Sequence, residues 1–414
     1  MQQSWLPIAD HSDFSLHNLP FGIFSKGQGA LVAGVAIGEY IIDLAQAFDK
    51  GIFPAYPLKE NVFRQPFLND FISLGPTFSG YVRSVLQQGL QDTDSLLKRL
   101  ANVLIVQQSD VQMHIPLKVG NYTDFYSSQE HATHVGKLFR PDNPLFPNWK
   151  HMPVAYHGRA SSIVVSGTVI DRPNGQINKD PAGDPIFAPT SSLDYELELA
   201  FVVGKDSQMG KPVAIEKAED YIFGALLFND WSARDIQRWE YQPLGPFTSK
   251  NFASSVSPWI VTMEALQLFR TEPPVQLPQP LPYLVHPGRM GFDIALSVAI
   301  KPFADQEYII SETNSDYLYW NLSQQVAHHT ITGCNLNVGD LLATGTISGP
   351  GRNSAGCLLE ATVGGKEPIH FSNHVRRFLE DGDEVIMRGY GQKEGIRVGF
   401  GELKGRIRAT QHVI

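Results

Sequence analysis

Apolar and polar positions alternate differently in successive parts of the chain. Over residues 20–44, PFGIFSKGQGALVAGVAIGEYIIDL, apolar residues alternate with small or polar ones and glycines recur. That pattern predicts short antiparallel strands in a small β unit. From Asn61 to about Gln107 the period lengthens, with Leu86, Leu90, Leu96, Leu97 and Leu100 in a polar background, as in amphipathic helices. Nothing in this part gathers acids, bases or ligands. The residue before Pro116 is biased to extended backbone, which sets the expected boundary between an N-terminal domain, residues 1–116, and a C-terminal domain, residues 117–414.

Further on, LDYELELAFVVG predicts a strand by alternation, with Glu196 and Glu198 on one face and Tyr195, Leu197, Leu199 and Phe201 on the other. Residues 171–190, rich in Pro, Gly, Asn and Asp, read as a long loop. Five prolines in residues 273–282 make a stiff connector, and FDIALSVAI, from Phe292, reads as another strand. Asp316 to His329 reads as a helix with Leu318, Leu322 and Val326 on one face, and His328-His329 near its end as partners of its dipole. VGDLLATGTISGPG and DGDEVIMRGYG read as strand–turn units, and CLLE, ending in Glu360, as a short apolar strand.

Residues 222–254 concentrate polar chemistry. The apolar run Ile222 to Phe228, bounded by Asn229-Asp230, predicts a buried strand. Trp231 to about Tyr241 predicts a helix, stopped by Pro243 and Gly245. Arg234, Gln237 and Tyr241 follow Asp230 at offsets that share one helix face, while Ala233, Ile236 and Trp239 pack on the other side. Lys250 follows after a turn. A solvated helix face carries the same pattern, so the reading depends on what else the chain assembles.

Residues 118–162 crowd Tyr, His, Asp and Arg together, including Asp124, Tyr126, His131 and Arg140. Ser127 or Ser128 caps a short helix carrying His131 and His134. Their i, i+3 spacing raises zinc, but no nearby Glu-x-x-His or Cys pair completes such a site. Glu196 and Glu198, about 7 Å apart on one strand face, repel unless solvated or neutralised. They mark either an exposed face or an all-oxygen site for a hard cation, with Asp124 and Asp230 as natural further ligands.

Composition narrows the class. With 43% hydrophobic residues the chain folds with a large core, and a net charge of −9 without a basic block argues against nucleic acid and anionic membranes as partners. The beginning, MQQSWLPIADHSDF, has no basic leader, and no apolar stretch is long enough to span a bilayer. Two cysteines make no disulfide framework, so a reduced, cytoplasmic protein is expected. No phosphate-binding or dinucleotide fingerprint is present, and no nucleotide is expected.

Together NYTDFYSSQEHATHVGKLFR, FPNWKHMPVAYHGRASSIVVSGT, LDYELELAFVVG, NDWSARDIQRWEYQPLGPF, GCNLNVGDLLATGTISG and DGDEVIMRGYG resemble the fumarylacetoacetase family, and PFGIFS and VAIGEYIIDL extend the resemblance into the N-terminal domain. It implies a mostly β chain with α+β elements: an N-terminal SH3-like β-barrel domain and a C-terminal mixed β-sandwich roll of the fumarylacetoacetase type. It also implies a homodimer acting on a small β-diketo acid, with water cleaving a carbon–carbon bond to give fumarate and acetoacetate, the last step of tyrosine and phenylalanine catabolism. By resemblance, Asp124, Glu196, Glu198 and Asp230 are Ca2+ ligands, and a Mg2+ site lies around Asp230, Lys250 and Ser254, where relatives commonly carry Thr in place of Ser254. His131 resembles the general base, oriented by Glu360. Arg234, Gln237 and Lys250 resemble groups that stabilise negative charge, and Tyr126, Arg140, Gln237, Tyr241 and Thr346 resemble substrate contacts. An acylpyruvate-type hydrolase, decarboxylase or isomerase of the same superfamily is the alternative. A calcium-dependent binding protein would have no need of a base such as His131.

Overall fold

A computed structural model describes residues 4–55, 58–180 and 182–411. The alternating glycine-rich segment forms the strands Phe21–Ser25, Val32–Ile37 and Tyr40–Asp43, joined by Ile105–Gln107 and Gln112–His114 in a five-stranded antiparallel half-barrel. The helical period appears as short helices and one longer one, Pro76–Gln91. Proline at its start is tolerated where no helical N–H bond is needed, and Phe78, Val82, Leu86 and Leu90 line its buried stripe.

The rest of the chain builds two sheets that face each other across an apolar core. The larger, mixed sheet runs in the order Ala155–Gly158, Tyr122–Phe125, Leu341–Ala343, Leu197–Val203, Ile222–Asp230, Ser254–Val256, Ile163–Val165, with Val261–Thr262 also paired to Ile222–Asp230. Two of its pairings are parallel. The smaller sheet contains Tyr308–Asn314, Ala295–Lys301, Glu384–Lys393, Ile396–Arg408 and Val169–Asp171. Leu197, Leu199 and Phe201 face the smaller sheet, with Tyr195 in the same core. Ala200, Val202, Leu226 and Phe228 face the core of the N-terminal unit instead. Glu198 lies on the second of these faces.

Several local expectations are corrected. The strand over LDYELELAFVVG is broken: Leu193–Asp194 pairs with Ser232–Ala233, and only Leu197–Val203 joins the large sheet. The predicted helix begins at Arg234 and ends at Glu240, because Ser232–Ala233 is held in that pairing. Residues 171–190 contain the hairpin Asn174–Ile177 with Ile186–Pro189. Asp316 to His329 is a short 3-10 turn followed by the helix Leu322–Thr330, restarted by an Asn321–Gln324 capping box. CLLE is not a strand; Leu358–Ala361 is one helical turn. His328 and His329 lie in the last turn of that helix, as expected, and are hydrogen-bonded to Tyr283 Oη and Thr123 Oγ1, while burial pushes the pKa of both below the ordinary imidazole value.

Candidate active site

Strand register brings the acidic residues together. Asp124 is partnered with Ala343, Ala343 with Ala200, and Glu198 with Phe228. Partnered residues share a face and alternate residues along a strand return to it, so Asp124, Glu198 and Asp230 point the same way. All three are buried, and their oxygens lie within 4.8 Å of one another. Burial raises the Asp124 carboxyl well above its ordinary range and the Asp230 charge adds to this; burial and then Asp124 do the same to Glu198. Glu198 Oε2 accepts the Gly345 N–H at 3.0 Å, while Oε1 is buried without a hydrogen-bond partner. Gly345 has φ +76°, and a Cβ there would lie 2.1 Å from the Phe125 carbonyl oxygen, so only glycine fits. Three crowded carboxylates with an unsatisfied oxygen fit a hard, oxygen-seeking cation.

Glu196 stands outside that group. Its Oε1 lies 2.7 Å from Arg234 Nη1, and its Oε2 2.5 Å from Lys250 Nζ. The break in the strand frees Glu196 from a regular sheet position and turns it toward these cations. Burial opposes its charge, but Lys250 and Arg234 outweigh the desolvation and hold its pKa at about 2. Lys250 Nζ also donates to Asp230 Oδ2 at 2.7 Å. Burial opposes the Lys250 charge, yet Asp230 and Glu196 hold its pKa well above the usual lysine value. An ammonium has no lone pair, so the side chain of Lys250 is not a metal ligand, and only its carbonyl remains available for that role. Ser254 Oγ donates to Asp230 Oδ1 at 3.3 Å, which keeps its hydroxyl at this cluster.

A second cluster forms around Glu360. Ser128 caps the helix Gln129–Phe139, its Oγ accepting the His131 N–H at 3.2 Å. One turn of helix, Leu358–Ala361, presents Glu360 to it. His131 Nδ1 lies 2.6 Å from Glu360 Oε2, Ser348 Oγ donates to the same oxygen at 2.7 Å, and His134 Nδ1 lies 3.1 Å from Oε1. Burial opposes ionisation of Glu360, but His131 and these hydrogen bonds hold its carboxyl well below the usual range. An ionised carboxylate only accepts, so the proton between the two groups sits on His131 Nδ1. Among the described residues, His131 Nε2 has no protein partner. The ring of Tyr126 packs edge-on against His131 at 5.2 Å.

Other expected residues divide. Arg234 is held by Asp194 and Glu196, donates to Gln237 Oε1 at 3.1 Å, and keeps Nη2 buried without a partner. Thr346 Oγ1 is likewise buried and unpartnered. Tyr241 is the half-buried C-cap of the Arg234–Glu240 helix. Arg140 is turned away from a carboxylate-binding role in this structure: its guanidinium stacks 3.9 Å from the Phe146 ring centre and donates to the Pro144 carbonyl.

Four contributors escaped the sequence reading. Asp194 accepts Arg234 Nε at 2.9 Å and also the N–H groups of Leu358 and Leu359. Its signal was present, since Asp194, Glu196 and Glu198 alternate along one segment. Tyr156 Oη donates to Asp230 Oδ2 at 2.5 Å and lies 3.2 Å from Asp124 Oδ2, and Tyr122 Oη donates to that same Asp124 oxygen. Ser348 gave no signal, because nothing local ties a loop serine to a glutamate twelve residues on.

Residues 17–116 match the sequence profile of the Fumarylacetoacetase N-terminal family, and residues 121–408 that of the Fumarylacetoacetate (FAA) hydrolase C-terminal family. Over 411 residues the chain is 48% identical to the fumarylacetoacetase of Homo sapiens, covering 98% of each. Over 412 residues it is 47% identical to that of Caenorhabditis elegans, covering 98% of this chain and 99% of the relative. With the fumarylacetoacetase of Arabidopsis thaliana it shares 45%, covering 98% of each. A solved fumarylacetoacetate hydrolase from Exiguobacterium antarcticum shares the fold at a TM-score of 0.54 and 18% identity, covering 94% of this chain and 99% of that one.

Proposed function

The chain belongs to the fumarylacetoacetase family and hydrolyses the carbon–carbon bond of 4-fumarylacetoacetate to fumarate and acetoacetate; we propose that His131 drives this cleavage as the base that deprotonates water. The observation that carries the reading is the bond from His131 Nδ1 to the ionised Glu360, which fixes the tautomer and leaves Nε2 free to take a proton. Hydroxide attacks the carbonyl beside the scissile bond. The bond then breaks with its electron pair on the acetoacetate carbon, and the proton held by His131 returns to that carbon. Arg234, through its unpartnered Nη2, with Lys250 and Gln237, faces the charge that develops on oxygen and on the departing enolate.

Asp124, Glu198 and Asp230, with Glu196 beside them, are the residues that would hold Ca2+, and Asp230, Ser254 and the Lys250 carbonyl those that would hold Mg2+. A bound dication supplies Lewis-acid stabilisation to substrate oxygens. Tyr126, Tyr241 and Thr346 line the substrate in this reading, and Arg140 leaves Phe146 to meet a substrate carboxylate. We further propose a homodimer of cytoplasmic subunits, each divided at residues 1–116 and 117–414, acting in tyrosine and phenylalanine catabolism. Among the described residues no helix is long and apolar enough to cross a membrane. Incubation with fumarylacetoacetate, with and without a chelator, tests the reading by product analysis. Fumarate and acetoacetate should form, and form more slowly under chelation. Cleavage of acylpyruvates alone would overturn it.

A further inference from the structure

The spacing of His131 and His134 raised zinc, and the local sequence offered nothing to complete a site. The fold supplies the missing ligands from 229 positions along the chain in the case of Glu360. Cys357 Sγ donates to Glu360 Oε2 at 3.2 Å, the same oxygen that His131 Nδ1 meets at 2.6 Å. His131, Cys357 and Glu360 each present a ligand atom within 4.8 Å of the others, and all three are buried. His134 Nδ1 stands 3.1 Å from the second Glu360 oxygen.

We propose that His131, Cys357 and Glu360 form a binding site for a thiophilic divalent cation of the zinc class, separate from the three-carboxylate group, whose occupation stops catalysis by consuming the base. The donor atoms decide which ion enters which place. Calcium and magnesium take oxygen ligands, whereas a nitrogen, a thiolate sulfur and one carboxylate oxygen suit zinc. Zinc bonds of about 2.0–2.3 Å place the ligands of a tetrahedral site about 3–4 Å apart. The groups therefore part by less than about 1 Å from their hydrogen-bonded separations. The metal takes the place of the protons that now hold the cluster together. The thiol proton passes to solvent and the imidazole proton moves from Nδ1 to Nε2, leaving thiolate, neutral imidazole and carboxylate as ligands and no lone pair on Nε2 to act as a base. A water or His134 completes the coordination.

The test reads binding directly, so it fails or succeeds apart from the assigned reaction. Calcium-loaded protein is titrated with Co2+, a coloured stand-in for zinc, in the parent, Cys357→Ser, Cys357→Ala and Cys334→Ser. Cys334 is the exposed cysteine and serves as the control. A near-ultraviolet thiolate-to-cobalt absorption is expected in the parent and Cys334→Ser, displaced by Zn2+, and absent from both Cys357 variants. Zinc should inhibit the parent about tenfold or more tightly than Cys357→Ser, each taken relative to its own zinc-free rate, and excess calcium should give no relief. A parent without the absorption overturns the site, whatever the variants do. So does an absorption that persists without Cys357, or zinc inhibition that calcium relieves, which would put zinc on the carboxylates.

Discussion

Asp194 Oδ2 accepts Arg234 Nε at 2.9 Å while the same carboxylate receives the N–H groups of Leu358 and Leu359, the first residues of the turn that carries Glu360. The turn has no cap of its own, since Cys357 makes no side-chain bond to it. A carboxylate from a distant strand performs that role and ties the turn that carries Glu360 to the Arg234 guanidinium.

Asp194→Asn places an amide donor among groups that only donate. Arg234 and Glu360 should both shift, and kcat should fall about a hundredfold with KM little changed. Steady-state kinetics on the folded variant checks this. A variant that is merely less stable, with parental kcat, would contradict the positioning role.

Glu196 ties acid stability to the site. Its pKa is about 2 in the fold against an ordinary 4.5, so its contribution to stability is complete above about pH 4.5 and is lost as pH falls toward 2. Glu196→Gln should cost about 3 kcal/mol near neutrality, because Lys250 and Arg234 each keep one other carboxylate. Denaturant unfolding of both proteins should show that gap closing across this window. A gap independent of pH would contradict the charge pairing.

The three-carboxylate group has the opposite sign. Burial, followed in effect by neighbouring carboxylates, raises Asp124 and Glu198. Acids raised on folding lose stability as pH climbs past their ordinary values, so the metal-free protein is weakened from about pH 4 upward. Calcium at a hundredfold excess over its Kd should add about 2.7 kcal/mol near neutrality and little at pH 4, where protons compete. Asp124→Asn should reduce the effect. Equal calcium stabilisation at both pH values would argue against a carboxylate site.

Much of this was legible where the signal is periodic. Alternation gave the strands Phe21–Ser25 and Leu197–Val203, and the Ser128 cap with its helix was readable from local residue types. The helix start at Arg234 was misplaced because the pairing that holds Ser232–Ala233 is made with a strand some forty residues earlier, which no local window contains. CLLE was misread for the same kind of reason: four apolar or acidic residues fit strand and helix alike, and the cap that decides between them is Asp194. Glu196 and Glu198 were read as a pair, but the break in the strand parts them, one to two cations and one to the carboxylate group. Alternation cannot foresee a break that tertiary hydrogen bonds impose.

The central claim is that His131 takes the proton from water while the cation is held elsewhere. The most direct measurement is turnover of fumarylacetoacetate by His131→Ala, with calcium affinity determined by titration calorimetry on the same sample. Turnover should fall by about 10²–10⁴-fold with calcium affinity unchanged. Near-parental turnover, or a loss of activity that simply follows a loss of calcium, would contradict the account.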